Sequence, residues 1–319
     1  MSVSGTPTGS VGSAGEFGLI DRVVQRLRQG SGVLLGPGDD AAVVAAPDGR
    51  IVTTVDVLVE GRHFRRDWSS GYDVGRRAAA ASLADIVAMG ARPTALVVAL
   101  SAPADLDAEW AEALADGLQD EADRVGASIV GGDVSAADAV AVAVTALGDL
   151  EGRTPVTRAG AVAGHRVVVF GRLGWAAAGL AMLEVGRLDH PLADAHRRPR
   201  VAYDETLAAA RSGLLTSLID ISDGLVADLG HVAAASGVRI ELTASALPLA
   251  SEVADAAAAL GTDPLEWVTT GGDDHALVAT VRDGCPAGAL VIGTVSAGDS
   301  GVVFTDRATP ERGGHEHFS

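Results

Sequence analysis

With 319 residues, 48% of them apolar, the chain suits two globular domains of ordinary size and is not a disordered polymer. A formal net charge of −18 argues against nucleic acid as a partner, and no apolar run reaches the roughly 18 residues that a membrane span needs. All 24 basic residues are arginine, so neither a P-loop nor a protein-kinase site, both of which require a lysine, can be present.

The opening MSVSGTPTGSVGSAG has neither the basic start nor the apolar stretch of a signal peptide and reads as a flexible tail over 1–15. Residues 17–29 place Leu19, Ile20, Val23, Val24 and Leu27 on one helical stripe. AAVVAA and RIVTTVDVLV, joined by Pro47-Asp48-Gly49, read as a β-hairpin. An Ala-rich helix over 72–90 stops at Gly90, with Pro93 just beyond. The strand TALVVAL, a helix over 107–124, and the strands ASIVGGDVS and AVAVTALGDL complete a first domain over 16–150. EGRTPVTRAGAVAG has no periodicity and reads as the link into a second domain over 151–319. That domain opens with the strand RVVVF and the turn GRLGWAAAGL, then alternates helices with LLTSLIDI, VRIELT and strands near 276–281, 288–295 and 301–304. The alternation lacks strict βαβ order, so the expected fold class is α/β with mixed sheets in both domains. The single cysteine, Cys285, excludes an intrachain disulfide and an all-cysteine metal site, and fits a reducing cytoplasm.

Carboxylates recur in one setting, at strand ends or on a helix face: Asp39-Asp40, Asp56 after Thr54-Val55, Asp85, Asp133 after Gly131-Gly132, Asp220 and Asp223, and Asp273-Asp274. All are Asp, whose short arm favours a rigid oxygen site for a hard cation such as Mg²⁺. In a chain without lysine, divalent cations and arginines must neutralise any bound phosphate. Plainer readings stand beside this one. Asp39-Asp40 suit a turn. Asp85, poor on helix propensity, could pair with Arg76 or Arg77. Ser222 and Asp223 stand where a helix N-cap belongs. GRLGWAAAGL follows a strand and opens a helix, which suits a phosphate loop but is also a common turn.

The ordered segments GEFGLI, GDDAAVV, VDVLVEGRHF, SLADIVAMGARP, GGDVS, TRAGAVAG, LGWAAAGL, DISDGLVADLGH and GGDDHAL resemble thiamine-monophosphate kinase, of the aminoimidazole ribonucleotide synthetase superfamily. The resemblance runs from about Glu16 to the C-terminus. It implies an N-terminal domain that forms a homodimer through its sheet, and a C-terminal α/β domain. It also implies an interdomain cleft for Mg-ATP and thiamine monophosphate, in a cytoplasmic kinase with no nucleic-acid or membrane partner. By the resemblance, Asp40, Thr54, Val55, Asp56, Asp85, Asp133, Asp220 and Asp223 fall at Mg²⁺ positions. Of these, Asp56, Asp85, Asp220 and Asp223 serve catalysis through metal. Gly132, Asp133, Arg158 and Ser222 fall where ATP is held, and His63 and Asp273 match substrate positions. The chain departs from the pattern at three places. Val55 replaces a residue that often bears a hydroxyl, Asp273-Asp274-His275 replaces Glu-Asp-Tyr, and Arg312 stands where an aromatic wall for thiamine is expected. Another ATP-dependent synthetase of the superfamily, or an Mg-nucleotide-binding regulator without turnover, is the alternative.

Overall fold

A computed structural model describes residues 10–37, 42–310 and 314, with residues 11–17 by backbone alone. The chain divides into two compact units, one of Arg92–Glu151 with the chain before Val87, the other of Val87–Ala91 with the chain from Gly152 onward. No helix of the described residues is long and apolar enough to cross a membrane.

The first unit runs α1 (Val11–Val24), β1 (Val33–Leu35), β2 (Val43–Val44), β3 (Val52–Val59), α2 (Gly71–Ala88), β4 (Arg92–Ala102), α3 (Ala108–Asp123), β5 (Ser128–Ala136) and β6 (Ala141–Asp149). Its four-stranded sheet has the order β3-β6-β4-β5, with β4 and β5 parallel and the other neighbours antiparallel. Strand β6 buries Val142, Val144 and Ala146 and leaves the alternate residues half-buried, as the two-residue period requires. Helix α2 covers the buried face. Its Ala78–Ala81, Leu83, Ala84 and Ile86 are buried on every side, which marks a helix held between a sheet and a second helix.

Two expectations need correction here. The tail expected over 1–15 gives way to helix at Val11, because each residue added to an existing helix closes one more hydrogen bond, even through Gly12 and Ser13. The hairpin of residues 41–46 with 50–59 does not form. Strand β2 pairs with β1, while β3 pairs along its whole length with β6. The turn itself is present, with the Gly49 N–H donating to Ala46 O at 3.0 Å. An eight-residue ladder to β6 outweighs a pairing that two residues of β2 could offer.

The second unit runs β7 (Arg166–Phe170), α4 (Trp175–Glu184), α5 (Pro191–Arg197), α6 (Tyr203–Arg211), β8 (Leu215–Ile221), α7 (Leu225–Ser236), β9 (Arg239–Leu242), α8 (Ser251–Leu260), α9 (Pro264–Thr270), β10 (Ala276–Val281), β11 (Ala289–Ser296) and β12 (Gly301–Phe304). The sheet order is β12-β9-β11-β7-β10-β8, mixed as expected, with only β12 and β9 parallel. Every residue of β10 is buried, so this inner strand is covered on both faces. Val167, Val169, Ile219, Ile221 and Val278 meet Leu225, Leu229 and Val232 of α7 in the main core. The register pairs Ile221 with Ala276 and Phe170 with Leu277. Three motifs, Gly171–Gly174, Ile221–Gly224 and Gly271–His275, therefore emerge at one end of this sheet.

Candidate active site

In the first unit Thr54 and Asp56 share one face of β3 and meet α2. The Thr54 hydroxyl donates to Asp85 Oδ2 at 2.7 Å, and the Ser82 hydroxyl donates to Asp56 Oδ2 at 2.9 Å. The match is one of pitch. Two residues along a strand advance roughly 6.6 Å, and three along a helix roughly 4.5 Å, so two polar contacts fit one seam. Thr54 is thus a partner of Asp85, while Arg76 binds Glu121 at 2.6 Å. The Val55 side chain lies on the opposite face of β3 and is 60% exposed. His63 Nδ1 accepts from the Val59 N–H at 2.9 Å in the turn after β3.

Asp133 lies elsewhere. It stands on β5, three strand spacings or roughly 14 Å across the sheet from β3, and accepts from the Ser135 hydroxyl at 2.8 Å. Its register partner is Ala99, while Gly132 pairs with Val98. A methyl group on Gly132 would collide with the Val98 carbonyl, so only glycine lets the strands close there. Asp40 and Arg312 lie outside the described residues.

In the second unit the loops around Ser222 and Asp273 are laced together. The Asp273 N–H donates to Ser222 O at 2.9 Å and the His275 N–H to Ile221 O at 3.0 Å. Asp273 and His275 adopt left-handed backbone, with φ of 64° and 49°. His275 Nδ1 lies 3.2 Å from Asp220 Oδ2. Asp220, Ser222, Asp223 and Asp273 are thereby gathered at one end of the sheet. Arg158 is not brought to them. Its carbonyl accepts from Ser236 at the last turn of α7, a helix length of roughly 18 Å from the Ser222 loop.

Two carboxylates hold these loops: Asp228, which the sequence did not single out, and Asp274, which it did as half of a doubled Asp. Ser222 and Asp223 do not cap α7, whose N-cap is Gly224. Instead Asp228 reaches back from within the helix, and its Oδ2 accepts from the N–H groups of Ser222, Asp223 and Gly224, each at 3.1 Å. Burial, then the neighbouring Asp220 charge, push the Asp228 carboxyl up to about 7. The expected phosphate loop is also filled from within. Asp274 Oδ1 accepts from the Ala176 N–H at 2.8 Å at the N-terminus of α4, and burial pushes this carboxyl up to about 7. A carboxylate in that position leaves no place for a phosphate oxygen. Arg172 of the same turn stacks on Trp175, 4.3 Å from the ring centre, and burial and Arg200 push its guanidinium below the usual range. Asp228 stands in the first turn of α7, where an acidic residue is ordinary, so the sequence carried no signal that set it apart.

Among the described residues, no group of three or more His, Cys, Asp or Glu is close enough to hold a metal ion. Mg²⁺ takes one or two carboxylates and completes its shell with water and substrate phosphate. The Asp220 and Asp223 charges both help push the buried Asp228 carboxyl up, a crowding of acid that a cation would relieve.

Residues 38–150 match the family described as AIR synthase related protein, N-terminal domain, and residues 162–306 its C-terminal domain. A thiamine-monophosphate kinase of Mycobacterium tuberculosis is 53% identical over 291 residues, covering 91% of this chain and 87% of that protein. The chain belongs to the thiamine-monophosphate kinase family. Solved structures of the family share the fold. The kinase from Stenotrophomonas maltophilia K279a, 32% identical, matches with a TM-score of 0.78 over 91% of this chain and 96% of its own. AaThiL complexed with AMPPCP and TMP, 31% identical, matches at 0.77 over 96% and 97%.

Proposed function

We propose that the chain transfers the γ-phosphoryl group of ATP to thiamine monophosphate, giving thiamine diphosphate and ADP, with Mg²⁺. The observation that carries this reading is the likeness over 96% of the chain to AaThiL complexed with AMPPCP and TMP. AMPPCP has a methylene where ATP has its β,γ-bridging oxygen, so that pair stands in for donor and acceptor together. The acceptor is a phosphate oxygen already anionic at neutral pH, and the reaction needs positioning and charge neutralisation more than a base.

On this reading Asp56 and Asp85, and Asp220 and Asp223, are the main Mg²⁺ holders. Asp40, Thr54, Asp133 and the Val55 backbone assist them. The bound ions supply positive charge to phosphate oxygens in a chain that has no lysine. Gly132, Asp133, Arg158 and Ser222 hold ATP, and His63, Asp273 and Arg312 face thiamine monophosphate. The hydroxyls of Thr54 and Ser82 keep the Asp85 and Asp56 carboxylates aimed. The enzyme works as a cytoplasmic homodimer joined through the first unit's sheet. Val55, Val57 and Val97 support that interface, being 60%, 48% and 39% exposed on the face away from α2.

The test is ADP release with Mg-ATP and thiamine monophosphate, thiamine, or neither. Transfer to thiamine monophosphate alone is expected, and equal turnover of thiamine would overturn the acceptor assignment. Asp56→Asn keeps an acceptor for Ser82 yet removes the charge. It should lower kcat at least a hundredfold and lose most of the melting-temperature gain that Mg-ATP gives the parent.

A further inference from the structure

The turn Ser222-Asp223-Gly224 is the one stretch of the second unit where two residues assigned to ATP and Mg²⁺ are adjacent. It has no strand partner for its N–H groups and precedes the first turn of α7, so three consecutive donors need an acceptor. A capping box would satisfy one of them from the third helical residue. Here the fourth helical residue, Asp228, satisfies all three with a single oxygen. Gly224 permits this with φ of 133°, in a region that residues with a Cβ rarely adopt.

Three donors meeting at one oxygen fix the peptide planes of the turn. The directions in which Ser222 and Asp223 leave the backbone are then set by where Asp228 Oδ2 sits. The far side of the turn is braced as well, since Ser222 O accepts from Asp273 and a methyl on Gly272 would strike that same carbonyl. Asp228 is buried and part of no strand or metal group among the described residues. We infer that Asp228 is a positioning residue for phosphoryl transfer, acting through the backbone of Ser222, Asp223 and Gly224 to aim the Asp223 carboxylate and the Ser222 side chain. This rests on the kinase reading, in which those two side chains meet Mg²⁺ and ATP.

The inference makes acceptor position, not charge, the quantity that matters. Asp228→Asn keeps an oxygen at the same reach. Asp228→Glu keeps the carboxylate but moves it by one methylene, and Asp228→Ala removes the acceptor. For variants folded at the assay temperature by circular dichroism, kcat and KM for Mg-ATP and thiamine monophosphate are measured, with the Mg²⁺ dependence of rate. Asn should stay within about threefold of the parent. Ala and Glu should lose at least tenfold in kcat/KM for Mg-ATP and need several-fold more Mg²⁺, with KM for thiamine monophosphate unchanged. Rescue by Glu and not by Asn, equal loss in all three, or unchanged Mg-ATP kinetics in a folded Ala variant would each overturn it. If Ala does not fold, the Asn and Glu pair still decides. Calorimetric titration of each protein with Mg-ADP tests the same ranking without turnover. A parent that binds Mg-ADP but phosphorylates nothing would therefore refute the kinase reading and leave the positioning test standing.

Discussion

Asp274 carries its carboxyl into the buried N-terminus of α4, where one oxygen takes the Ala176 N–H and Oδ2 has no hydrogen-bond partner among the described residues. An Asp in the unfolded chain titrates near 3.9, and this one is held at about 7 by burial. The folded state therefore binds the extra proton across that interval. The stability this group contributes is fully present below about pH 4 and is lost as the pH rises through about 7. Asp274→Asn should remove the dependence. Its unfolding free energy in urea should gain on the parent's between pH 5 and pH 8, with about 4 kcal/mol as an upper bound. A difference constant with pH would refute the assignment. The doubled Asp at 273 and 274 was legible as a crowded site. Which of the pair turns inward was not, because the left-handed φ at Asp273 and His275 is imposed by bonds to Ile221 and Ser222, fifty residues earlier in the chain.

Helices α2 and α3 approach each other backbone to backbone. A methyl on Gly71 or Gly75 would strike the carbonyls of Trp110 or Leu114, and one on Gly117 would strike that of Tyr72. Gly117→Ala should thus force the pair apart and cost about 1–3 kcal/mol or more, read as a lower urea midpoint. Gly230 in the interior of α7 meets nothing within 4 Å, and Gly230→Ala should instead stabilise by about 0.5–1 kcal/mol. A similar loss from both substitutions would show that helix propensity, not the close crossing, sets the outcome. Most helices and strands were legible from periodicity, and so was the placing of Thr54 and Asp56 on one strand face. The partner of β3 was not, because β6 lies about ninety residues away and the intervening turn chemistry favoured a local hairpin. The pairing of Asp85 with Thr54 depends on that packing of α2 on β3, and no local pattern announces it.

The open face of the first unit's sheet presents rows that cross three strands: Val55 beside Thr145 beside Val97, and Val57 beside Ala143 beside Ala99. Apolar rows of this kind on a sheet with one covered face are a liability in a lone chain. The proposed homodimer buries them. Val97→Arg, on the sheet face away from the α2 seam, should convert a dimeric mass to a monomeric one by light scattering at micromolar concentration. A parent already monomeric there would refute the interface. The mixed α/β architecture was legible from alternation and the repeated Gly-Asp turns. The separation of Asp133 from Asp56, and of Arg158 from Ser222, was not, since strand order and helix length set those distances and a list of motifs in chain order does not contain them.

The tie from Gly224 N–H to Asp228 also bears on how the protein ages. Asp-Gly steps decay when the glycine nitrogen attacks the preceding side-chain carboxyl, closing a succinimide that reopens largely as isoaspartate. At Asp223-Gly224 that nitrogen is itself buried and held by Asp228 at 3.1 Å, so the attack requires the turn to open first. Asp283-Gly284 is exposed, with no such tie among the described residues. Peptide mapping of protein stored for weeks should find isoaspartate at Asp283 well before Asp223, and in an Asp228→Ala chain the order should narrow. The contact that aims the site would then also set its shelf life.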